Sequence, residues 1–130
     1  MKTLDIKAGS GIHLVEATAV LCGPDVHVCI CGGTHHHIGA SALGLPCPSL
    51  KDPSKLSASV SVLNVVRHKE DQLARDAAYQ LTKTLGCRVS VSAGLHVDNA
   101  TQEDIQKLWK NYEQVLQEVT QRLKEVLSGA

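Results

Sequence analysis

Histidines cluster in a glycine-rich segment at residues 31–40, which reads CGGTHHHIGA. Three consecutive histidines cannot all project from one face of a helix or strand, so a turn or loop is expected here. Imidazole binds metal ions, exchanges protons near neutral pH and donates hydrogen bonds to anions. The segment therefore indicates a metal site, an anion-binding site or a histidine-rich turn without a ligand, and the residue types leave all three open.

A metal site would need histidines from several segments. His37, His68 and His96 each lie close to the end of a predicted strand, and strand ends can meet at one edge of a sheet. Three neutral imidazoles can hold Zn²⁺ and leave one position for water. That arrangement would suit a hydrolase or a lyase, so a three-histidine metal-dependent enzyme is one hypothesis. Against it, no Asp or Glu stands at an evident metal-ligand spacing.

Capture of an anion such as a phosphate is the second hypothesis. Gly32, Gly33 and Gly39 permit sharp turns that expose backbone N–H groups, and such groups can form a nest for an anion. Lys69 stands at the predicted start of a helix, where the N–H groups and the helix dipole favour a phosphate. The spacing is neither that of a Walker A loop nor G-x-G-x-x-G, so this pattern has low specificity.

Composition excludes several classes of function. The 130 residues carry 13 basic and 13 acidic side chains, so no basic field favours nucleic acid or anionic lipid. The chain has one Trp, two Tyr and no Phe, which are too few aromatic side chains for a protein that binds single-stranded nucleic acid by stacking. The cysteines include no C-x-x-C pair, and Cys29 and Cys31 are interpreted as small strand residues. An odd cysteine count and no signal-like N-terminal run predict a cytoplasmic protein with reduced thiols.

A hairpin is predicted near the start of the chain, after a possible short edge strand at residues 3–7. Strands at 12–21 and 26–31 flank the turn Cys22-Gly-Pro-Asp. In this hairpin the numbers of paired residues sum to 47, which places His13 and Val15 on one face with Val28. Both faces are largely apolar, so we expect both to be covered, by helices or by a partner chain.

The remaining elements predict one α+β domain over residues 1–130. A long loop at 32–54 is followed by a strand at 56–66, a helix at 68–85 and a strand at 87–94. Gly86 is the expected left-handed cap of this helix. A second helix begins at a Thr101–Asp104 capping box and runs to about Leu127. The order ββββαβα favours an antiparallel meander with two long helices. The last helix is long enough either to pack on its own sheet or to bury a second subunit as well.

Three short motifs occur in the order GGTHHHIG, RHKED and AGLHVD. Together they resemble the prenylated-flavin chaperone (LpdD-like) family, the accessory subunit of gallate and related hydroxybenzoate decarboxylases. The matching residues include Gly32, Gly33, His37, Ile38, Gly39, His68, Lys69, Gly94 and His96. One departure is His36, which stands where the family has a proline that would stiffen the loop.

The resemblance implies a homodimer with a fold like that of the proteasome assembly chaperones. It implies that the protein binds reduced prenylated FMN and delivers it to a UbiD-type (de)carboxylase without catalysing a reaction. The matching residues named above are then the expected cofactor-binding residues, and no metal is expected. Two alternatives stay open, a three-histidine metalloenzyme and a structural assembly subunit of a decarboxylase complex.

Overall fold

The computed structural model describes residues 1–65 and 70–129, and His68 and Lys69 lie outside these ranges. A short 3₁₀ turn, Gly11–His13, precedes the second strand. The main elements are β1 Thr3–Ala8, β2 Val15–Cys22, β3 Asp25–Gly33, β4 Ala40–Pro48, β5 Leu56–Asn64, α1 Asp71–Leu85, β6 Val89–His96 and α2 Gln102–Leu127. The mixed α+β class is confirmed, with one six-stranded sheet and two helices.

The strand order is β1-β2-β3-β6-β4-β5, so the expected antiparallel meander is wrong beyond the first three strands. β6 inserts between β3 and β4 and runs parallel to β3. Because β4 is antiparallel to both β5 and β6, the latter two are parallel, and α1 forms the crossover that joins them. This crossover brings the AGLHVD segment beside the end of β3.

β4 occupies the segment predicted as a long loop, and that prediction is wrong. Pro46 and Pro48, which made the segment look irregular, lie in the last part of the strand. There β4 pairs with β5, whereas its pairing with β6 covers residues 40–44. A proline is tolerated where one side of a strand faces no neighbouring strand, because no ladder hydrogen bond is lost there.

The β2–β3 hairpin has the predicted register, with Cys22 opposite Asp25 and Ala17 opposite Ile30. His13 lies in the 3₁₀ turn and not in the strand, so its predicted place on a strand face is wrong. The side chains of Val15 and Val28 are fully buried beneath the helices. The opposite face of the hairpin is only half-buried in the described chain.

The two helices cover one face of the sheet. In α1 the side chains of Leu73, Ala77 and Leu81 are buried, and Gly86 ends the helix in the left-handed region with φ +70°. In α2 the predicted capping box is present, and the apolar stripe packs on β1, β2 and α1. The helix therefore packs on its own sheet, which was one of the two expected arrangements. No helix of the described ranges is both long enough and apolar enough to cross a bilayer.

The other face of the sheet, here called the open face, has no helix over it within residues 1–65 and 70–129. It presents mostly small or apolar side chains, with charged ones confined to its β1–β2 border. Its central members are Thr18, Val20, His27, Cys29, Cys31, Ser41, Leu43, Leu45, Ser59, Ser61, Leu63, Ser90 and Ser92.

Candidate functional site

The histidine-rich segment crosses one end of the sheet between β3 and β4. Its backbone is anchored to β6, because the Thr34 N–H donates to the His96 carbonyl at 2.6 Å and the Gly39 N–H to the Ala93 carbonyl at 2.9 Å. The parallel pairing of β3 with β6 places Gly33 directly beside His96. The first and third sequence motifs therefore meet in space.

Glycines allow these backbones to approach each other closely. Gly33 has φ +83°, and a Cβ atom there would overlap the His96 carbonyl. A Cβ at Gly94 would overlap the His37 carbonyl, and one at Gly39 would overlap the Glu70 carboxylate. Any side chain at these positions would push the segment away from the sheet.

The N–H groups of two of these glycines are used within the protein. The Gly33 N–H donates to the Leu14 carbonyl at 3.0 Å, and the Gly39 N–H donates to the Ala93 carbonyl. They do not form the exposed anion nest that the sequence suggested, so that interpretation is wrong for this pair. The direct role of the glycines in cofactor binding stays a prediction, and their observed role is close packing.

His37 is held between two acceptors. Its Nε2 lies 2.6 Å from Oε1 of Glu70, which immediately precedes α1, and its Nδ1 lies 3.2 Å from the His35 carbonyl. Because a carbonyl can only accept, Nδ1 is the donor in that contact, and Nε2 faces the carboxylate. Both side chains of the His37–Glu70 pair are mostly buried.

Asp98 joins two further histidines. Its Oδ2 lies 3.0 Å from Nε2 of His35, and its Oδ1 lies 3.0 Å from Nε2 of His96. Hydrogen bonds from His96 and then His35 hold the pKa of the Asp98 carboxyl below its usual range. The His37 ring stands edge-on to the His96 ring, with centroids 6.3 Å apart. We call His35, His37 and His96, with Asp98 and Glu70, the histidine cluster.

His36 turns away from the histidine cluster. Its Nε2 lies 3.2 Å from Oε2 of Glu16 on β2, at the border of the open face. Each of the three consecutive histidines is thus paired with a different carboxylate. This explains how one short segment can hold three imidazoles in three directions.

Most of the predicted site residues come together here. Gly32, Gly33, His37, Ile38, Gly39, Gly94 and His96 all lie at this end of the sheet. Ile38 is 58% exposed, so its side chain is available to a ligand. His68 and Lys69 fall on residues that the structure does not describe, and their roles stay predictions. Within the described ranges, no three His, Cys, Asp or Glu side chains are arranged to hold a metal ion.

Sequence reasoning missed the carboxylates Glu16, Glu70 and Asp98. Two of them belong to recognised motifs, since Glu70 is the fourth residue of RHKED and Asp98 is the last residue of AGLHVD. Their proximity to the matching histidines was therefore a usable signal. Glu16 offered none, because its partner lies 20 residues away across the hairpin.

Cys31 lies beneath the histidine-rich segment. Its Sγ donates to the His37 carbonyl at 3.5 Å and lies 3.9 Å from Sγ of Cys29. Burial, followed by the neighbouring Cys29, raises the pKa of the Cys31 thiol to about 11. The thiol is therefore neutral at physiological pH and supports the segment by packing.

Comparisons with known proteins identify a family and a related fold. A family model described as the prenylated flavin chaperone LpdD-like domain matches residues 9–124. A chain in the crystal structure of a novel chaperone complex for yeast 20S proteasome assembly has a similar fold, with a TM-score of 0.60 at 16% identity over 97% of each chain. No curated protein sequence matches the chain.

Proposed function

Because the chain belongs to the prenylated flavin chaperone LpdD-like family, we propose that it binds reduced prenylated FMN and delivers it to a UbiD-type decarboxylase. The observation that carries the proposal is the meeting of the GGTHHHIG and AGLHVD motifs at one end of the sheet, where the exposed Ile38 stands beside the histidine cluster. We propose that the cofactor binds at this end of the sheet and that His68 and Lys69 also contact it. The protein would act in the cytoplasm.

The donors and apolar side chains at this end of the sheet suit a flavin phosphate and ring. His35 and His96 are exposed imidazoles whose orientation is set by Asp98, and imidazole N–H groups hydrogen-bond to phosphate oxygens. Ile38 and Val65 offer exposed apolar surface to the ring system. No Trp or Tyr belongs to the cluster, so the ring would lack the extra binding of an aromatic stack, which suits a carrier that must release its ligand.

A role without catalysis also fits the cluster. The Nε2 atoms of His35, His37 and His96 all face carboxylates, which hold the rings in fixed positions. Rings held in fixed positions lose little conformational freedom when a ligand binds, which suits a binding site. The non-catalytic role itself rests on the chaperone family to which the chain belongs.

We further propose that the protein is a homodimer that pairs through the open face. Residues 27–31, 41–47, 57–63 and 90–96 contain no Lys, Arg, Asp or Glu, so two copies would not repel each other there. Leu43 is 47% exposed and Leu63 is 80% exposed on that face. Strands about 4.8 Å apart and about eight residues long give one face of this sheet an area of roughly 600 Å². A stable interface buries about 800 Å² on each partner, which is a similar area.

Anaerobic calorimetry tests the binding proposal. The protein is titrated with reduced prenylated FMN and, in parallel, with reduced FMN, and we expect the prenylated form to bind more tightly. His96→Ala should weaken binding by about tenfold, the value of one charge-assisted hydrogen bond. Arg88→Ala is the control, because Arg88 lies just before β6, at the opposite end of the sheet, and pairs with a carboxylate there, Oδ2 of Asp25 at 3.1 Å. If neither flavin binds, the carrier proposal is wrong; if both variants bind like wild type, the site is wrong.

A further inference from the structure

The two helices leave a groove on the outer side of the helical layer. Its volume is about 790 Å³. Asp76 and Gln80 of α1 form one wall. The wall from α2 extends from Trp109 to Lys124 and includes Glu113 and Glu118. At 1.5 Å per residue the groove runs for roughly 22 Å, which matches four turns of another helix.

An exposed aromatic side chain lies at one end of the groove. Trp109 is 40% exposed, and its ring lies 5.1 Å from that of Tyr112, which is fully buried. The Tyr112 hydroxyl donates to Asp76 at 2.7 Å, so the ring that supports Trp109 is itself fixed. A rigid, partly exposed Trp is the residue type that contributes most often to protein–protein binding energy.

The groove is acidic although the whole chain is neutral. Asp76, Glu113 and Glu118 line it with carboxylates, and Lys124 is the single ammonium group among its described lining residues. The Asp76 carboxylate is held in place, since it also accepts from Gln80 at 2.8 Å. Fixed carboxylates beside an indole favour Lys and above all Arg, which can pair with the former and stack on the latter.

We infer that this groove docks a basic amphipathic α-helix of the enzyme that receives the flavin. A helix is the element that fits lengthwise between two helices, and its apolar side would cover Trp109. The groove lies on the side of the sheet opposite the open face, so a dimer paired through the open face would keep two grooves available. The inference rests on the proposed function, since it names the surface used for delivery.

Charge-reversal variants test the inference. The full-length protein, loaded with reduced prenylated FMN, is immobilised, and binding of the apo UbiD-type decarboxylase of the source organism is followed by interferometry under anaerobic conditions. Glu113→Lys with Glu118→Lys, and separately Trp109→Ala, should each raise the dissociation constant by about 30-fold. The controls Glu103→Lys and Ile105→Ala lie on the same helix outside the groove and should change it by less than about twofold.

Three results would overturn the inference. The first is that the groove variants bind the decarboxylase as tightly as wild type does and still bind flavin. This result would not contradict the carrier function. The second is a wild-type protein that binds flavin but not the decarboxylase. The third is loss of the dimer in the groove variants by analytical ultracentrifugation, which would make the groove an interface between copies. The flavin titration of each variant separates these outcomes from failure to bind flavin, and the second outcome would also overturn delivery in the proposed function.

Discussion

Three neighbouring histidines differ in role because each meets a carboxylate from another part of the chain. His35 pairs with Asp98, His36 with Glu16 and His37 with Glu70. The expectation that several strand ends meet at one edge of the sheet was enough to predict that His37 and His96 would lie close together. It could not predict the partners, because residues such as Glu16 and His36 become neighbours only through the register of the β2–β3 hairpin.

Replacing Gly33 should disturb the site more than replacing a glycine with the same backbone preference elsewhere. Gly23 has φ +61° with open space around it, so Gly23→Ala should lower the free energy of unfolding by about 1 kcal/mol. Gly33→Ala introduces a similar backbone strain, and its Cβ also overlaps the His96 carbonyl. We therefore expect it to lower the free energy of unfolding by about 2 kcal/mol more than Gly23→Ala does. Chemical denaturation measures both values. Equal losses would show that contact with β6 is not what requires a glycine at position 33.

The helices were easier to predict than the sheet. Local signals fix α2, whose Thr101–Asp104 capping box and apolar stripe appear directly in the sequence. The β2–β3 hairpin is equally local, since one turn sets its register. The position of β6 depends on pairing between residues about 60 apart, such as Val28 with Val91, and no local pattern records it. β4 was missed because its prolines resemble those of a loop.

The hydrogen bonds of Asp104 at the start of α2 should make the stability of the protein depend on pH. The backbone N–H of Thr101 and then the His13 ring lower the pKa of Asp104 from 3.8 to about 2. A carboxyl with a depressed pKa in the folded state stabilises the protein above its unfolded pKa and loses that effect as pH falls. Wild type should therefore lose more thermal stability than Asp104→Asn between pH 4 and 2. Parallel melting curves for the two proteins would contradict this assignment.

The contact between β4 and α1 should show coupling in a double-mutant cycle. A Cβ at Gly44 would overlap Oγ1 of Thr82, a buried hydroxyl without a hydrogen-bond partner among the described residues. Gly44→Ala should therefore destabilise the protein by about 2 kcal/mol. In a Thr82→Ala background the same change should cost about half as much, because the overlapping atom is gone. Additive losses by chemical denaturation would rule out this contact as the reason for the glycine.

The whole molecule is a two-layer structure with one face of its sheet uncovered in the single chain. Both faces of the first hairpin were expected to be covered, and the helices cover one of them. The other cover would be a second copy under the proposed dimer. The apolar character of both faces indicated that a second cover is needed, but it left open whether helices or a partner chain supply that cover. The homodimer was implied by the resemblance to a family.

Leu63→Lys should separate the copies. Leu63 is 80% exposed in the single chain, so a lysine there is tolerated by the fold but would be unpaired in a dimer through the open face. We expect the dimer dissociation constant to rise by about 100-fold in sedimentation measurements. Ile105→Lys is the control, because Ile105 is 51% exposed on α2, outside the open face. A Leu63→Lys variant that dimerises like wild type would place the interface elsewhere.

Transfer of the cofactor is the most direct test of the central claim. The protein is loaded anaerobically with reduced prenylated FMN, mixed with apo UbiD-type decarboxylase and separated again, and the flavin on each protein is quantified. The carrier account predicts that the cofactor moves to the decarboxylase and that His96→Ala loads and transfers less of it. A protein that does not take up the cofactor, or that retains it in the presence of the apo enzyme, would contradict the account.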